Sequence, residues 1–311
     1  MTIPFCMVNV VITGGAGFIG SNLAVFLKSC GYNVMCIDNL SRSQERNVRL
    51  LSLKNIPLHL ADIRDYNKIF DSMKGCDIVV HAAALIDVEE SLRDPISYFE
   101  NNVVGTGVVT KACVDSGVER LVYISSAAVY GDPVKVPVDE NHPTNPLSPY
   151  GLSKLLGEHI VEFYSRINGL KYIILRLFNV FGPGQGISGY AGVITKFVNC
   201  LKNGRRPIIF GDGLQTRDFI HVNDVCHAIE ASFKTKYVNE KFNVGSGNEV
   251  KIIDLAKMIM SIANFDEEPS FAPKRVGEIR FSCADISKAK KLLNFYPKLS
   301  LEEGLRTVFN A

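Results

Sequence analysis

Tyr150 and Lys154, four residues apart in YGLSK, follow about twenty residues behind two hydroxyls, Ser125 and Ser126, that close the apolar run VYISS. Positions four apart on a helix share a face, so one phenol and one ammonium can reach the same small molecule. A phenol titrates at ~10 and is a poor base near neutrality, but positive charge close by favours its phenolate. Tyr150 is therefore a candidate general base. Ser126, just past a strand end, can hydrogen-bond the same reacting oxygen and share its proton, with Ser125 as the alternative; hydroxyls at strand ends also simply cap turns. A Tyr and a Lys at this spacing are common on half-exposed helix faces, so their chemistry has to be decided by other features.

Those features lie near the amino end, where the strand VNVVIT runs straight into GGAGFIG and then a helical pattern. Gly15, Gly17 and Gly20 satisfy G-x-G-x-x-G, and Gly14, Gly17 and Gly20 satisfy the wider G-x-x-G-x-x-G. Glycines here leave a tight turn unblocked, let the backbone approach a pyrophosphate and present it to a helix amino end. The next strand, NVMCID, ends in Asp38, eighteen positions after Gly20. A carboxylate there accepts hydrogen bonds from ribose hydroxyls and repels a 2′-phosphate, which favours NAD; Arg42 keeps NADP as the lesser alternative. A third strand ends at Asp62 and Ile63, placed to meet adenine. The fourth ends at His81, Ala82, Ala83 and Ala84, whose small side chains let a dinucleotide cross the sheet edge, His81 itself being read as structural. Further candidate cofactor contacts are Phe18 and Ile19 in the helix start, Asn39 and Ser41 behind Asp38, and Asn102, Ser125 and Phe178. Tyr150 and Lys154 complete the set: Lys154 can bond the nicotinamide ribose, and the positive nicotinamide adds to the charge that favours phenolate.

The elements that must hold these groups alternate. Val8 to Thr13, Asn33 to Asp38, Leu58 to Ala61, Ile78 to His81, Leu121 to Ser125 and Tyr172 to Leu177 are Val/Ile/Leu runs without polar alternation, as expected of strands covered on both faces. Helical patterns at Gly20 to Cys30, Asp65 to Met73, Ile96 to Ser116 and Pro149 to Asn168 lie between them. The alternation predicts an α/β chain: a Rossmann-type doubly wound parallel sheet with a smaller C-terminal α/β substrate-binding domain. After Asn179 the pattern turns to glycine- and proline-punctuated loops, a helix near Val193 to Asn203, and short irregular pieces. The expected division is 1–178 for the nucleotide-binding domain, with a return around 219–245, and 179–218 with 246–311 for the substrate-binding domain.

Composition agrees with an ordinary soluble globular protein. In 311 residues, 47% are hydrophobic and 21% charged, and 34 Lys+Arg against 32 Asp+Glu give a net charge of +2. Without a basic block, nucleic acid and anionic membrane are not expected partners. The first 27 residues carry no charge, yet Pro4, Asn9 and four glycines exclude a spanning helix, and the first basic residue, Lys28, stands behind the apolar run instead of ahead of it as a secretory signal requires. Eight cysteines include no C-x-x-C pair and several sit in apolar runs, which suits buried thiols in a reducing cytoplasm. His221 and His227 lack zinc-ligand spacing, so no metal is assigned.

TGGAGFIG, DNLS, HAAA, SSAAVYG, YGLSK, LRLFNVFGPGQ, TRDFIHVNDV and RVGE, in that order over nearly the whole chain, resemble the extended short-chain dehydrogenase/reductases, and among them the nucleotide-sugar 4-epimerases. The resemblance implies that Ser126, Tyr150 and Lys154 carry the chemistry while bound NAD oxidises carbon 4 of a UDP-sugar and the 4-keto sugar is reduced on its other face. It also implies that Asn179 and Arg217 meet the diphosphate, that Phe210 lies near uracil, that Arg275 binds phosphate, and that Val193, Glu278 and Ser282 line the substrate site. An ion pair to Asp218 is the structural alternative for Arg217. Dehydratase and decarboxylase relatives need an acid after the catalytic hydroxyl; here stand Ala127 and Ala128, which favours epimerisation. Acidic Asp87, Glu89 and Glu90 disfavour a uronate if they face the pocket. Ser282, at a gate position, leaves room for a 2-acetamido group, so UDP-glucose/galactose and UDP-N-acetylglucosamine/galactosamine are both expected substrates. Ile86 stands where glucose-specific relatives often have lysine near the cofactor phosphates, which loosens NAD retention. A homodimer through helices 96–116 and 149–168 is expected. Uronate epimerisation, net dehydrogenation and a non-catalytic NAD sensor are the competing readings.

Overall fold

Strands with apolar side chains on both faces need helices on both sides, and the computed structural model, which describes residues 7–186, 192–274 and 279–310, supplies them. The strands are β1 Asn9–Thr13, β2 Asn33–Asp38, β3 Leu58–Leu60, β4 Ile78–His81, β5 Arg120–Ser126, β6 Lys171–Leu177, β7 Asn179–Phe181, β8 Ile208–Phe210, β9 Thr216–His221, β10 Glu240–Val244, β11 Glu249–Lys251 and β12 Ser270–Ala272. The helices are α1 Phe18–Ser29, α2 Glu45–Leu53, α3 Tyr66–Met73, α4 Val88–Arg93, α5 Pro95–Tyr98, a π-helical turn Phe99–Val104, α6 Gly105–Asp115, α7 Pro149–Asn168, α8 Val193–Lys202, α9 Val222–Lys234, α10 Ile252–Ile262, α11 Ser287–Leu293 and α12 Leu301–Phe309.

Seven strands form one parallel sheet in the order β3-β2-β1-β4-β5-β6-β10. Alternation within β1 shows why it is covered twice. Val10 and Ile12 pack with Leu23, Ala24 and Leu27 of α1, whereas Val11 packs with Ile69 and Met73 of α3. The strand order reverses between β1 and β4, so the chain leaves these two strands in opposite directions and a crevice opens beyond their carboxyl ends. Thr13 Oγ1 and His81 Nδ1, 2.7 Å apart, tie the two strand ends together there. The doubly wound sheet expected from the sequence is therefore present.

The smaller set of elements holds a three-stranded sheet β11-β9-β7, a two-stranded sheet β12-β8, and a core of Phe197, Ile209, Phe219, Leu255, Ile259 and Leu305. Four regular helices, α9 to α12, follow β9, where the sequence reading expected short irregular pieces. Their apolar residues recur at helical spacing, but lysines and short connections break up the pattern. The helix expected over 96–116 is three joined pieces, α5, the π turn and α6, the π turn holding the buried Asn102.

Candidate active site

The glycine loop is shaped by close approach. Gly14 has φ +70°, and a Cβ on it would lie 2.7 Å from the backbone of Ala83; one on Gly20 would lie 2.1 Å from the Gly14 carbonyl oxygen. Side chains are excluded at both places, and the turn brings β1 and the Ala82–Ala84 segment side by side. No side chain caps α1 at Gly17, which leaves its first N–H groups for an anion. Asp38 is fixed by N–H donation from Ala16 at 3.0 Å and Leu40 at 2.8 Å and by the Ser43 hydroxyl at 3.1 Å. Gly14, Gly17, Asp38, Asn39, Ser41, Arg42, Ile63, Ala82, Ala83 and Ala84 line one cleft, together with Asn101.

Other expected contacts are placed differently. Asp62 accepts two hydrogen bonds from the Arg64 guanidinium, each 2.8 Å, one from the Arg64 N–H at 2.9 Å and one from Asn39 at 3.0 Å, and the guanidinium holds its carboxyl well below the usual range. Its neighbour Ile63 faces the cleft. The Asn102 amide is taken up by the Leu85 backbone, at 2.8 and 2.9 Å, and by Ser153 Oγ at 2.9 Å. It joins the cleft wall to the catalytic helix, while Asn101 lines the cleft; in a helical turn, neighbours point to different sides. Ser125 is buried and donates to Glu158 at 2.6 Å, and of the two serines Ser126 is the one that acts on the Tyr150 phenol. Phe178 is buried against Val129 and Tyr130, with its N–H on the Val244 carbonyl at 2.9 Å. Phe18 and Ile19 are half-buried in the first turn of α1. His81, buried between Thr13 and Thr106, is pushed down to about 3 by burial and then by the Lys154 charge, and is neutral, in keeping with a structural role.

Ser126 ends β5, and its Oγ accepts the Ala128 N–H at 3.1 Å. Pro149 opens α7 and Ser148 caps it, so Tyr150 stands in the first turn, where the Ser126 hydroxyl favours its phenolate. Gly157 lets α7 lie against β5, since a Cβ there would be 2.1 Å from the Tyr123 oxygen. Lys154 is 3% exposed, with Nζ 4.4 Å from the centroid of the Tyr123 ring. Burial pushes its amine down to about 7, and Glu158 pulls it up. Burial likewise pushes the Tyr150 phenol up, and the Ser126 hydrogen bond pulls it down. The expectation that Lys154 lowers the phenol is thus not met by the protein alone, because the same burial that brings the pair together penalises both charges.

A second cavity is lined by Asn179, Val193, Phe210 and Arg217, with Val88, Lys196 and Gln215. Asn179 donates to the Asp218 carbonyl at 3.2 Å. Asp218, on the other face of β9, has its carboxylate filled by Ser246, Gly247 and Ala284 at 2.6 to 3.0 Å, which removes the structural alternative offered for Arg217. Lys196 and Gln215 were not expected, although Lys196 stands three residues after Val193 on one helix face and Gln215 two before Arg217, just ahead of β9. Ser282 is half-buried and lies outside this lining among the described residues; Arg275 and Glu278 fall outside the described residues. The acidic loop also turns out differently. Asp87 caps α4 through the Glu90 N–H at 2.7 Å, and Glu90 pairs with Arg42 at 2.7 Å and accepts from Tyr98 at 3.1 Å, so these two carboxylates answer to the protein's own groups.

Residues 10–245 match the NAD dependent epimerase/dehydratase family. The chain belongs to that family. NAD is its cofactor, and the glycine cradle, the uncapped helix and Asp38 fit it. Among solved structures the chain is similar to a UDP-glucose 4-epimerase of Thermotoga maritima with UDP-glucose, 37% identical, TM-score 0.92, covering 97% of each chain. It is similar as well to a UDP-N-acetylglucosamine 4-epimerase of Methanobrevibacter ruminantium in complex with UDP-N-acetylmuramic acid, 35% identical, TM-score 0.93, covering 98% of this chain and 97% of that one. A third is a UDP-glucose 4-epimerase of Thermus thermophilus in complex with NAD, 32% identical, TM-score 0.88, covering 97% of this chain and 98% of that one. No helix among the described residues is long and apolar enough to cross a membrane.

Proposed function

We propose that this chain is an NAD-dependent isomerase that inverts carbon 4 of UDP-hexoses, taking UDP-glucose/UDP-galactose and also UDP-N-acetylglucosamine/UDP-N-acetylgalactosamine. The observation that carries the reading is that Ser126, at the end of β5, acts on the phenol of Tyr150, with Lys154 on the same helix, in a fold that also offers a cleft lined by Gly14, Gly17 and Asp38 and a cavity lined by Arg217, Asn179 and Phe210. Bound in the cleft, NAD supplies a reversible acceptor for the hydrogen on carbon 4. Tyr150 takes the proton of the sugar 4-hydroxyl, and Ser126 hydrogen-bonds the same oxygen. Lys154, when charged, favours the phenolate and holds the cofactor ribose. Arg217 and Asn179 hold the diphosphate while the sugar turns over as a ketone, Phe210 packs on uracil, and Tyr150 returns the proton when the hydrogen is restored to the other face. Ala127 and Ala128 offer no acid for water loss.

In this reading residues 1–178 with 219–245 hold the cofactor and 179–218 with 246–311 hold the substrate, in a cytoplasmic homodimer. With Asp87 and Glu90 engaged locally, a uronate meets no carboxylate from those two residues, so UDP-glucuronate belongs in the test. The purified protein with NAD, given UDP-glucose, UDP-N-acetylglucosamine and UDP-glucuronate separately, is expected to yield the 4-epimers of the first two by chromatography with no change in mass. Tyr150→Phe is expected to lose roughly 10²–10⁴-fold of turnover and keep NAD binding. Net accumulation of NADH, or no epimer from any sugar, overturns the reading.

A further inference from the structure

Glu158 stands one helical turn beyond Lys154 on α7, fully buried, and no step above uses it. Its carboxylate accepts hydrogen bonds from Ser125 Oγ at 2.6 Å and from Arg176 Nε at 2.9 Å and Nη2 at 2.7 Å, and Lys241 Nζ lies 3.6 Å away. These partners come from three strands: Ser125, on β5, precedes Ser126; Arg176 lies on β6, three residues before Asn179; Lys241 lies on β10. Arg176 is itself held, donating from Nη1 to the Tyr130 hydroxyl at 3.0 Å and stacking over that ring at 4.8 Å, while Tyr130 donates to Asn243 at 2.7 Å. A buried ion pair of this kind is poor value for stability alone, since apolar residues of the same volume commonly serve as well.

We propose that Glu158 is a positioning residue for this reaction, clamping the helix of Tyr150 and Lys154 onto the strand that ends at Ser126 and fixing a carboxylate one turn from the Lys154 amine. The inference rests on the roles given above to Ser126, Tyr150 and Lys154. Three titratable groups act on or beside Lys154 from the elements packed around it: Glu158 on α7, Tyr123 on β5, and His81 on β4. Burial holds Tyr123 protonated and His81 neutral. Glu158 is then the anion that acts on the amine, and Arg176 and Lys241 keep that carboxylate ionised. Ser125 and Arg176 fix the carboxylate, so it cannot swing out to water and leave the amine without a counter-charge.

The test is a ¹³C NMR titration of the Lys154 side chain in the NAD-bound protein, assigned with Lys154→Arg, for the wild type, Glu158→Gln and Lys241→Met. Removing the anion is expected to lower the Lys154 midpoint by about one pH unit or more, and removing the opposing cation to raise it. The limb of the kcat profile that falls at high pH should move the same two ways. Lys241 is partly exposed, so its variant decides the matter even if Glu158→Gln does not fold. Midpoints unmoved in an active background overturn the role of Glu158, whereas a wild type that converts no UDP-hexose overturns the functional reading whatever the midpoints do.

Discussion

Lys154 shows what it takes to keep a reactive group in a dry place. Its folded pKa, about 7, lies below its ordinary value of 10.5. Below about 7 both folded and unfolded chains carry the charge, and the fold bears the whole penalty of burying it; between about 7 and 10.5 only the unfolded chain still binds that proton, so stability rises with pH across the window. Lys154→Met is accordingly expected to be more stable than the wild type at pH 6, by up to about 5 kcal/mol, with the gap closing towards pH 10, while turnover is lost. Urea midpoints at pH 6, 8 and 10 measure this; a Met variant less stable at pH 6 contradicts it. The identity of the reacting residues could be read from spacing, because Tyr150, Lys154 and Ser126 stand at intervals that any reader can measure. Their protonation could not, since that of Lys154 depends on burial and on Glu158, which act on it only when the sheet and α7 close around it.

At the level of elements, the turn between β1 and α1 depends on two backbones touching. A Cβ at Gly20 would sit 2.1 Å from the Gly14 carbonyl oxygen, so α1 has to back away from the turn if any side chain is placed there. Gly20→Ala is expected to cost about 1–3 kcal/mol and to weaken NAD binding together with it. Paired denaturant and NAD titrations would show this, and an unchanged NAD affinity would contradict it. Elements built on continuous Val/Ile/Leu runs were readable to within a residue or two. Those resting on tertiary packing were not: α2 is broken up by Glu45, Arg46 and Arg49, and β10 opens with Glu240 and Lys241, so neither carries an uninterrupted apolar signal. The site differed in the same way, since Asn102, Ser125 and Asp62 lie at the right strand and helix ends but turn to protein partners that sequence order does not display.

For the whole molecule, one face remains apolar and open. Along α7, Leu152, Leu156, Phe163 and Ile167 recur at helical spacing, with Phe163 48% and Ile167 58% exposed, and Ile96 and Val104 add to them from the neighbouring α5 and π turn. Such a stripe is the usual signature of a helical interface. Sedimentation is expected to give a dimer for the wild type and a monomer for Phe163→Asp with Ile167→Asp; a monomeric wild type rejects the interface. The seventh strand has a different kind of consequence. β10 covers the edge of β6 yet comes about sixty residues after it, with the whole of β7 to β9 in between. During synthesis on the ribosome, a nascent chain that has already made six strands exposes an unpaired, strongly apolar border until residue 244 emerges, so the interval of translation between those two points is when this protein most needs a chaperone's cover.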